Sequence, residues 1–146
     1  MDKQLKLDRL FSDIADRISE ESHARRLKVG CVIVKDGNII SMGWNGMPSG
    51  MDNNCEIEQP DGTLITRREV SHAESNAIGK LAARGGVGAL GATIYTSYSP
   101  CAECAKLIKQ ANITRVVFRR QYRLPDGIDM LKALGVECTH LFGENE

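Results

Sequence analysis

Two short stretches hold the residues best suited to chemistry: Ser71-His72-Ala73-Glu74 and Ser99-Pro100-Cys101-Ala102-Glu103-Cys104. One imidazole and two thiolates can hold a zinc ion on three sides and leave the fourth position for water. That open position separates a catalytic zinc site from a closed structural one. Cys101 and Cys104 are three apart, so on the first turn of a helix their sulfurs point the same way. The partial positive charge of a helix N-terminus favours the thiolates that metals require. Glu74, two residues beyond His72, carries a carboxylate able to reach the water. Each half alone has another reading. Ser71 to Glu74 also fits a capping box, with Glu74 satisfying a backbone donor. Cys101 and Cys104 also fit a redox pair near a βαβ unit. The combination, with a proline before the first cysteine and both halves at predicted helix starts, singles out metal chemistry. Glu103 reads as a first-turn residue favoured by the helix dipole.

The surrounding pattern supplies those helices. Leu7, Leu10, Phe11, Ile14 and Ile18 recur at helical spacing and predict an amphipathic helix over Lys3 to Glu20. Ser22 to Lys28 is a basic connector. Val29 to Val34 and Ile39 to Trp44 are apolar runs joined by Asp36-Gly37, which predicts a hairpin. From Asn45 to about Arg68 the pattern disappears, and a loop of that length tends to be functional or disordered. A second helix starts near Ser71 and ends at Arg84-Gly85-Gly86. Ala92 to Thr96 is a third strand, Cys101 to Ala111 a helix, and Arg115 to Phe118 a strand. Ile128, Leu131 and Leu134 mark a last helix closed by Gly135, and Val136 to Leu141 is the final strand. The order α-β-β-α-β-α-β-α-β predicts an α/β fold with a mixed five-strand sheet. Its last strands are parallel through right-handed crossovers, and helices lie on both faces.

The chain's 146 residues read as one domain spanning 1–146. With 19 basic and 19 acidic side chains the formal charge is zero, whereas proteins that grip long nucleic acid carry a basic excess. The balance therefore favours a small substrate. No apolar run is long enough to cross a bilayer, and Met1 to Asp8 is charged rather than signal-like. Five cysteines, an odd number with one C-x-x-C pair, argue against a secreted disulfide framework and for the cytoplasm.

The order H-x-E followed by P-C-x-x-C is similar to the signature of zinc deaminases that act on nucleobases. The matching residues extend further. Lys28 to Val34 resembles the first strand of the deoxycytidylate (dCMP) deaminases, of the small bacterial and phage kind within the cytidine deaminase-like superfamily. Gly43-Trp44-Asn45-Gly46-Met47-Pro48-Ser49-Gly50 resembles their glycine-asparagine-glycine-x-proline loop. Ser71 to Ile78 resembles their zinc helix, and Arg119-Arg120-Gln121-Tyr122 the stretch that closes the pyrimidine pocket. Trp44 departs from the tyrosine of many relatives.

The resemblance implies a three-layer fold and zinc-dependent conversion of dCMP to dUMP and ammonia. One catalytic Zn2+ would be held by His72, Cys101 and Cys104, with Glu74 as general base and then general acid. It further implies that Asn45 hydrogen-bonds the deoxyribose and that the Ala73 N–H meets the pyrimidine carbonyl. The Ser99 carbonyl would receive the amino group, and Tyr122 would pack against the ring. Arg26 and Lys28 are candidate 5′-phosphate ligands, with Arg119, Arg120 and Arg123 as further ones, since a guanidinium fork suits phosphate. Many family members carry a second, structural zinc. Here His23 and Cys55 stand in matching places without a full ligand set, and Cys31 and Cys138 read as core residues, so one zinc is expected. The family also implies a homohexamer, activated by dCTP and inhibited by dTTP, with Mg2+ accompanying the effectors. The effector residues would be Gly46, Met47, Gly50 and Asn53. The alternatives are a deaminase of cytidine, guanine or a tRNA adenosine, a deaminase of single-stranded nucleic acid, and a zinc module without activity.

Overall fold

Asp2 opens the first helix, α1 (Lys3–Ser19), by accepting a hydrogen bond from the Leu5 N–H at 2.9 Å, which satisfies an otherwise orphaned donor. The structure, a computed structural model, describes residues 2–141. After α1 come the strands β1 (Gly30–Lys35) and β2 (Asn38–Trp44). They pair antiparallel through a turn in which Asp36 and Gly37 have φ of 51° and 79°. Two successive left-handed residues are what a tight hairpin turn demands.

A further hairpin, β3 (Glu56–Glu58) with β4 (Leu64–Thr66), lies inside the stretch whose sequence showed no pattern. Each of its strands has three residues, too short for alternation to register, so the expected structureless loop is corrected here. Next come α2 (Ala73–Arg84), β5 (Thr93–Tyr98), α3 (Ala102–Gln110), β6 (Arg115–Arg120), α4 (Asp126–Ala133) and β7 (Glu137–His140).

The main sheet has the order β2-β1-β5-β6-β7. β1 is antiparallel to β2 and β5, while β5, β6 and β7 run parallel, as the alternation of helices and strands implies. Side chains alternate between two cores. Cys31, Ile33, Ile94, Val116 and Phe118 pack with residues of α2, α3 and α4. Val32, Val34, Tyr95 and Val117 pack with Phe11 and Ala15 of α1. The three-layer arrangement with helices on both faces follows from that period of two.

Two glycines let the helices lie almost on the sheet backbone. A Cβ on Gly30 would meet the Ala15 carbonyl oxygen at 2.3 Å, and one on Gly43 would meet the Ala73 oxygen at 2.4 Å. Gly43 thus sets how closely the start of α2 approaches β2. On the α1 face, the buried Asp8 carboxylate accepts from Arg115 at 2.8 and 2.7 Å, from the Tyr95 hydroxyl at 2.7 Å and from Gln4 at 2.8 Å. That cluster fastens α1 to β5 and β6. Among the described residues no helix is long and apolar enough to cross a membrane.

Candidate active site

The N-termini of α2 and α3 converge beside the ends of β1 and β5. His72 and Cys101 are the N-cap residues of the two helices, both with extended backbone and neither spending its side chain on a cap. The capping-box alternative therefore fails. Ser71 lies outside the helix, and Glu74 turns inward, 4% exposed. Ser71 is held instead by reciprocal backbone hydrogen bonds with Gly46, at 2.8 and 3.0 Å, which tie the glycine-rich loop to the start of α2.

His72 Nδ1 lies 3.2 Å from Cys104 Sγ and 3.4 Å from Cys101 Sγ. The three donor atoms all fall within 4.8 Å of one another. Zinc bonds of ordinary length at tetrahedral angles separate nitrogen and sulfur donors by roughly 3.5 Å, so spacing and donor chemistry both fit a zinc ion. Protons are shared unequally among the three groups. Hydrogen bonds from Cys104 and His72 pull the Cys101 thiol down to about 3. The same bond to Cys101, with burial, pushes Cys104 up, while the bond with Cys101 raises His72. Burial pushes the Glu74 carboxyl up as well, which suits a group that must both take and hold a proton.

A cavity of about 350 Å³ opens over this cluster. Of the residues expected to touch substrate, Arg26, Asn45, Ala73, Ser99, Tyr122 and Arg123 line it. The N–H of Ala73, at the first position of α2, is one of those a helix leaves without an internal partner, and its carbonyl accepts from the Cys31 thiol at 3.3 Å. Asn45 is already engaged. Its Oδ1 accepts from Val29 N at 2.9 Å and its Nδ2 donates to the Leu27 carbonyl at 2.8 Å, leaving one lone pair and one hydrogen for a ligand. The Ser99 hydroxyl accepts from Tyr122 N at 2.7 Å and from Gln121 Nε2 at 3.1 Å. One side chain therefore anchors the loop that brings Tyr122 and Arg123 over the cavity.

Arg120, Arg119 and Lys28 are not brought to the cavity. Arg120 pairs with Asp16 at 2.6 Å and sits over the Tyr98 ring at 5.7 Å, and Arg119 pairs with Asp13 at 2.5 Å. Both acids belong to α1, more than a hundred residues away in sequence, so spacing within β6 could not reveal the pairing. Lys28 is exposed outside the cavity lining. Conversely, Tyr98, Glu56 and Thr66 line the cavity without having been singled out. Tyr98 ends β5 just before Ser99, and the strand's alternation could have found it. Glu56 and Thr66 sit on the unforeseen hairpin.

Of the expected effector residues, Gly46 and Met47 line a second cavity of about 500 Å³ with Trp44, Pro48 and Lys80, and Gly50 and Asn53 lie outside its lining. His23 is exposed, while Cys55 is buried against the first cavity.

Residues 5–120 match the family described as the cytidine and deoxycytidylate deaminase zinc-binding region. The chain belongs to that family. The deoxycytidylate deaminase of Enterobacteria phage T4 is 33% identical, with 90% of this chain and 88% of the phage protein aligned. The crystal structure of dCMP deaminase from the cyanophage S-TIM5, in complex with dCMP and dUMP, is 39% identical with a TM-score of 0.86. That match covers 97% of this chain and 99% of the cyanophage chain. A tRNA:A34 deaminase aligns over 92% of this chain and 91% of its own, at TM-score 0.58 and 20% identity, a likeness of fold alone. This member of the deaminase family is a hydrolytic enzyme, and its histidine–cysteine–cysteine cluster supports zinc as the metal.

Proposed function

We propose that the enzyme deaminates dCMP to dUMP, water entering at the pyrimidine C4 and ammonia leaving. The observation that carries this reading is one cavity lined by His72 and Cys101, with Cys104 within 4.8 Å of both, by the buried Glu74 carboxylate, and by the guanidinium-bearing residues Arg26 and Arg123. The similarity to phage deoxycytidylate deaminases, one of them crystallised with dCMP and dUMP, supports it.

His72, Cys101 and Cys104 would hold zinc, which when bound lowers the pKa of water enough for hydroxide to form near neutral pH. The protein's own groups do the rest. Glu74 takes one proton from the attacking water and delivers it to the ring N3, then carries the second from the new C4 hydroxyl to the amino group, which leaves as ammonia. The Ala73 N–H orients the base through its carbonyl oxygen, and the Ser99 carbonyl accepts from the amino group. Asn45 offers its remaining donor and acceptor to the deoxyribose. Tyr122 packs on the ring and excludes water, which strengthens each of these contacts. Since Arg119 and Arg120 are committed to α1, the 5′-phosphate falls to Arg26 and Arg123.

Activation by dCTP, inhibition by dTTP, accompanying Mg2+, a hexamer and a cytoplasmic location belong to the same reading. The second cavity beside Gly46 and Met47 supports an effector site there.

The test is ammonia release from dCMP, CMP, deoxycytidine and dCTP by zinc-loaded protein, with and without added dCTP or dTTP. Turnover of dCMP that disappears in Glu74→Gln is expected. Equal turnover of deoxycytidine would remove the phosphate contacts from the reading. No turnover of any pyrimidine by zinc-loaded protein would overturn the substrate assignment.

A further inference from the structure

The β3–β4 hairpin is small and separate from the main sheet, yet it buries a carboxylate. Glu56 is 1% exposed, and burying a charge is costly unless it is closely paired. Its partners all belong to one segment. Oε2 accepts from the backbone N–H of both Arg25, at 2.9 Å, and Arg26, at 3.1 Å. Oε1 faces Arg25 Nε at 3.4 Å in an ion pair without making a hydrogen bond. Directly across the hairpin from Glu56 stands Thr66, whose hydroxyl oxygen accepts from Arg26 Nη1 at 2.8 Å. The two ends of Arg26 are thus held by one cross-strand pair, its backbone by Glu56 and its guanidinium by Thr66. Glu56, Thr66 and Arg26 all line the cavity.

The hairpin is itself braced. Arg67, next to Thr66, donates to the Asn54 carbonyl at 3.1 Å and to Asp52 at 3.2 Å, and its N–H donates to the Cys55 carbonyl at 2.8 Å. Asn54 Oδ1 in turn accepts from Arg25 Nη2 at 3.4 Å. An exposed arginine ordinarily loses side-chain freedom when it binds an anion, which weakens binding. Here Thr66 already holds the guanidinium, and Glu56 fixes the backbone from which the side chain extends, so part of that freedom is gone before an anion binds.

We propose that Glu56 and Thr66 are positioning residues for anion recognition, and that the hairpin pre-orients Arg26 toward the substrate's 5′-phosphate. This rests on the assignment of Arg26 to the phosphate made above. The guanidinium keeps four of its five N–H donors while one is spent on Thr66, enough for a two-point contact with phosphate oxygens. Neither Glu56 nor Thr66 touches the reacting atoms. Their effect is on substrate affinity, not on the chemical step.

The experiment is a pair of double-mutant cycles in the zinc-loaded enzyme, Arg26→Gln with Glu56→Gln and Arg26→Gln with Thr66→Val, reading KM and kcat for dCMP. Arg26→Gln is expected to raise KM by about tenfold or more, the size of one hydrogen bond between charged groups. Glu56→Gln and Thr66→Val are each expected to raise KM about three- to tenfold with kcat within about twofold. Each double variant is expected to be no worse than Arg26→Gln alone, because residues acting through one another do not add. Multiplying losses, or losses confined to kcat, would overturn the positioning role while leaving the phosphate assignment standing. An unchanged KM in Arg26→Gln would overturn the phosphate assignment, and the positioning role with it. Thr66 is exposed, so its cycle decides the matter even if Glu56→Gln does not fold.

Discussion

Gly127, in the first turn of α4, lies against the peptide that carries Cys101, one of the candidate metal donors. A Cβ there would stand 2.0 Å from the Pro100 carbonyl oxygen and 2.9 Å from the Cys101 carbonyl carbon and oxygen. Ordinary contact begins near 3.4 Å, so Gly127→Ala demands about 1.4 Å of movement, and no side-chain rotation supplies it because the opposing atoms are backbone. Either α4 retreats, loosening Ile128 and Leu131 from the core, or the Pro100–Cys101 peptide rotates and carries the Cys101 sulfur away from His72. Overpacking of this kind costs about 1–3 kcal/mol. A ligand displaced by even half the required movement leaves the roughly 0.2 Å tolerance of a zinc bond.

The expected result for Gly127→Ala is a lower melting temperature and faster loss of zinc to a chelator. kcat/KM should fall by about a hundredfold, the usual effect of a 1 Å misplacement at a reacting centre. Gly79→Ala is the control. Gly79 lies within α2 with open space around its Cα, so alanine there should be neutral or stabilise by up to about 1 kcal/mol. A Gly127→Ala enzyme with wild-type melting temperature and zinc retention would refute the argument that this contact places Cys101.

Glu74→Gln should keep full zinc stoichiometry by metal analysis while kcat falls about 10²–10⁴-fold, the usual share of a general acid–base group. In Ser99→Ala the Tyr122 N–H loses its acceptor; its amide should exchange faster with solvent, and KM should rise with zinc content unchanged. Asp8→Asn leaves Arg115 without its buried partner and should cost about 3 kcal/mol in denaturant unfolding. Burial acts to raise the Asp8 carboxyl, but hydrogen bonds from Arg115, Tyr95 and Gln4 outweigh it and hold it below its ordinary 3.8. Its contribution is therefore complete above pH 3.8 and disappears as pH falls through the lower folded value. The acid limb of wild-type stability should flatten in the variant, and an unchanged limb would show that Asp8 does not carry it.

The parts of this fold that could be read from sequence are those with a period. Leu7 to Ile18 repeats every three to four residues and forms α1. Val29 to Val34 and Ile94, Val116 and Val117 are apolar because they sit between two layers of helices. The candidate metal donors stand out in the sequence because helix starts confine them, His72 and Cys101 being caps and Cys104 one turn on. What stayed hidden depends on distance along the chain. Nothing local to Arg119 and Arg120 shows that Asp13 and Asp16 will claim them. Nothing in Glu56-Ile57-Glu58 marks one glutamate as buried and the other as exposed until β4 and the Arg25–Arg26 segment are in place. Asn45 lines the cavity, but its service to Leu27 and Val29 is a contact across the chain.

Trp44 gives the molecule an optical property. It is the chain's one tryptophan, it lines the second cavity with Gly46, Met47 and Pro48, and the Lys80 ammonium stands 5.2 Å from its ring centre. Indole emission from the whole protein therefore originates beside the glycine-rich loop and one residue from Asn45. A ligand that packed on the indole, or drew Lys80 off the ring, would change the intensity and colour of that emission. The unlabelled protein thus carries its own optical reporter of a ligand at this cavity, readable alongside ammonia release in a single cuvette.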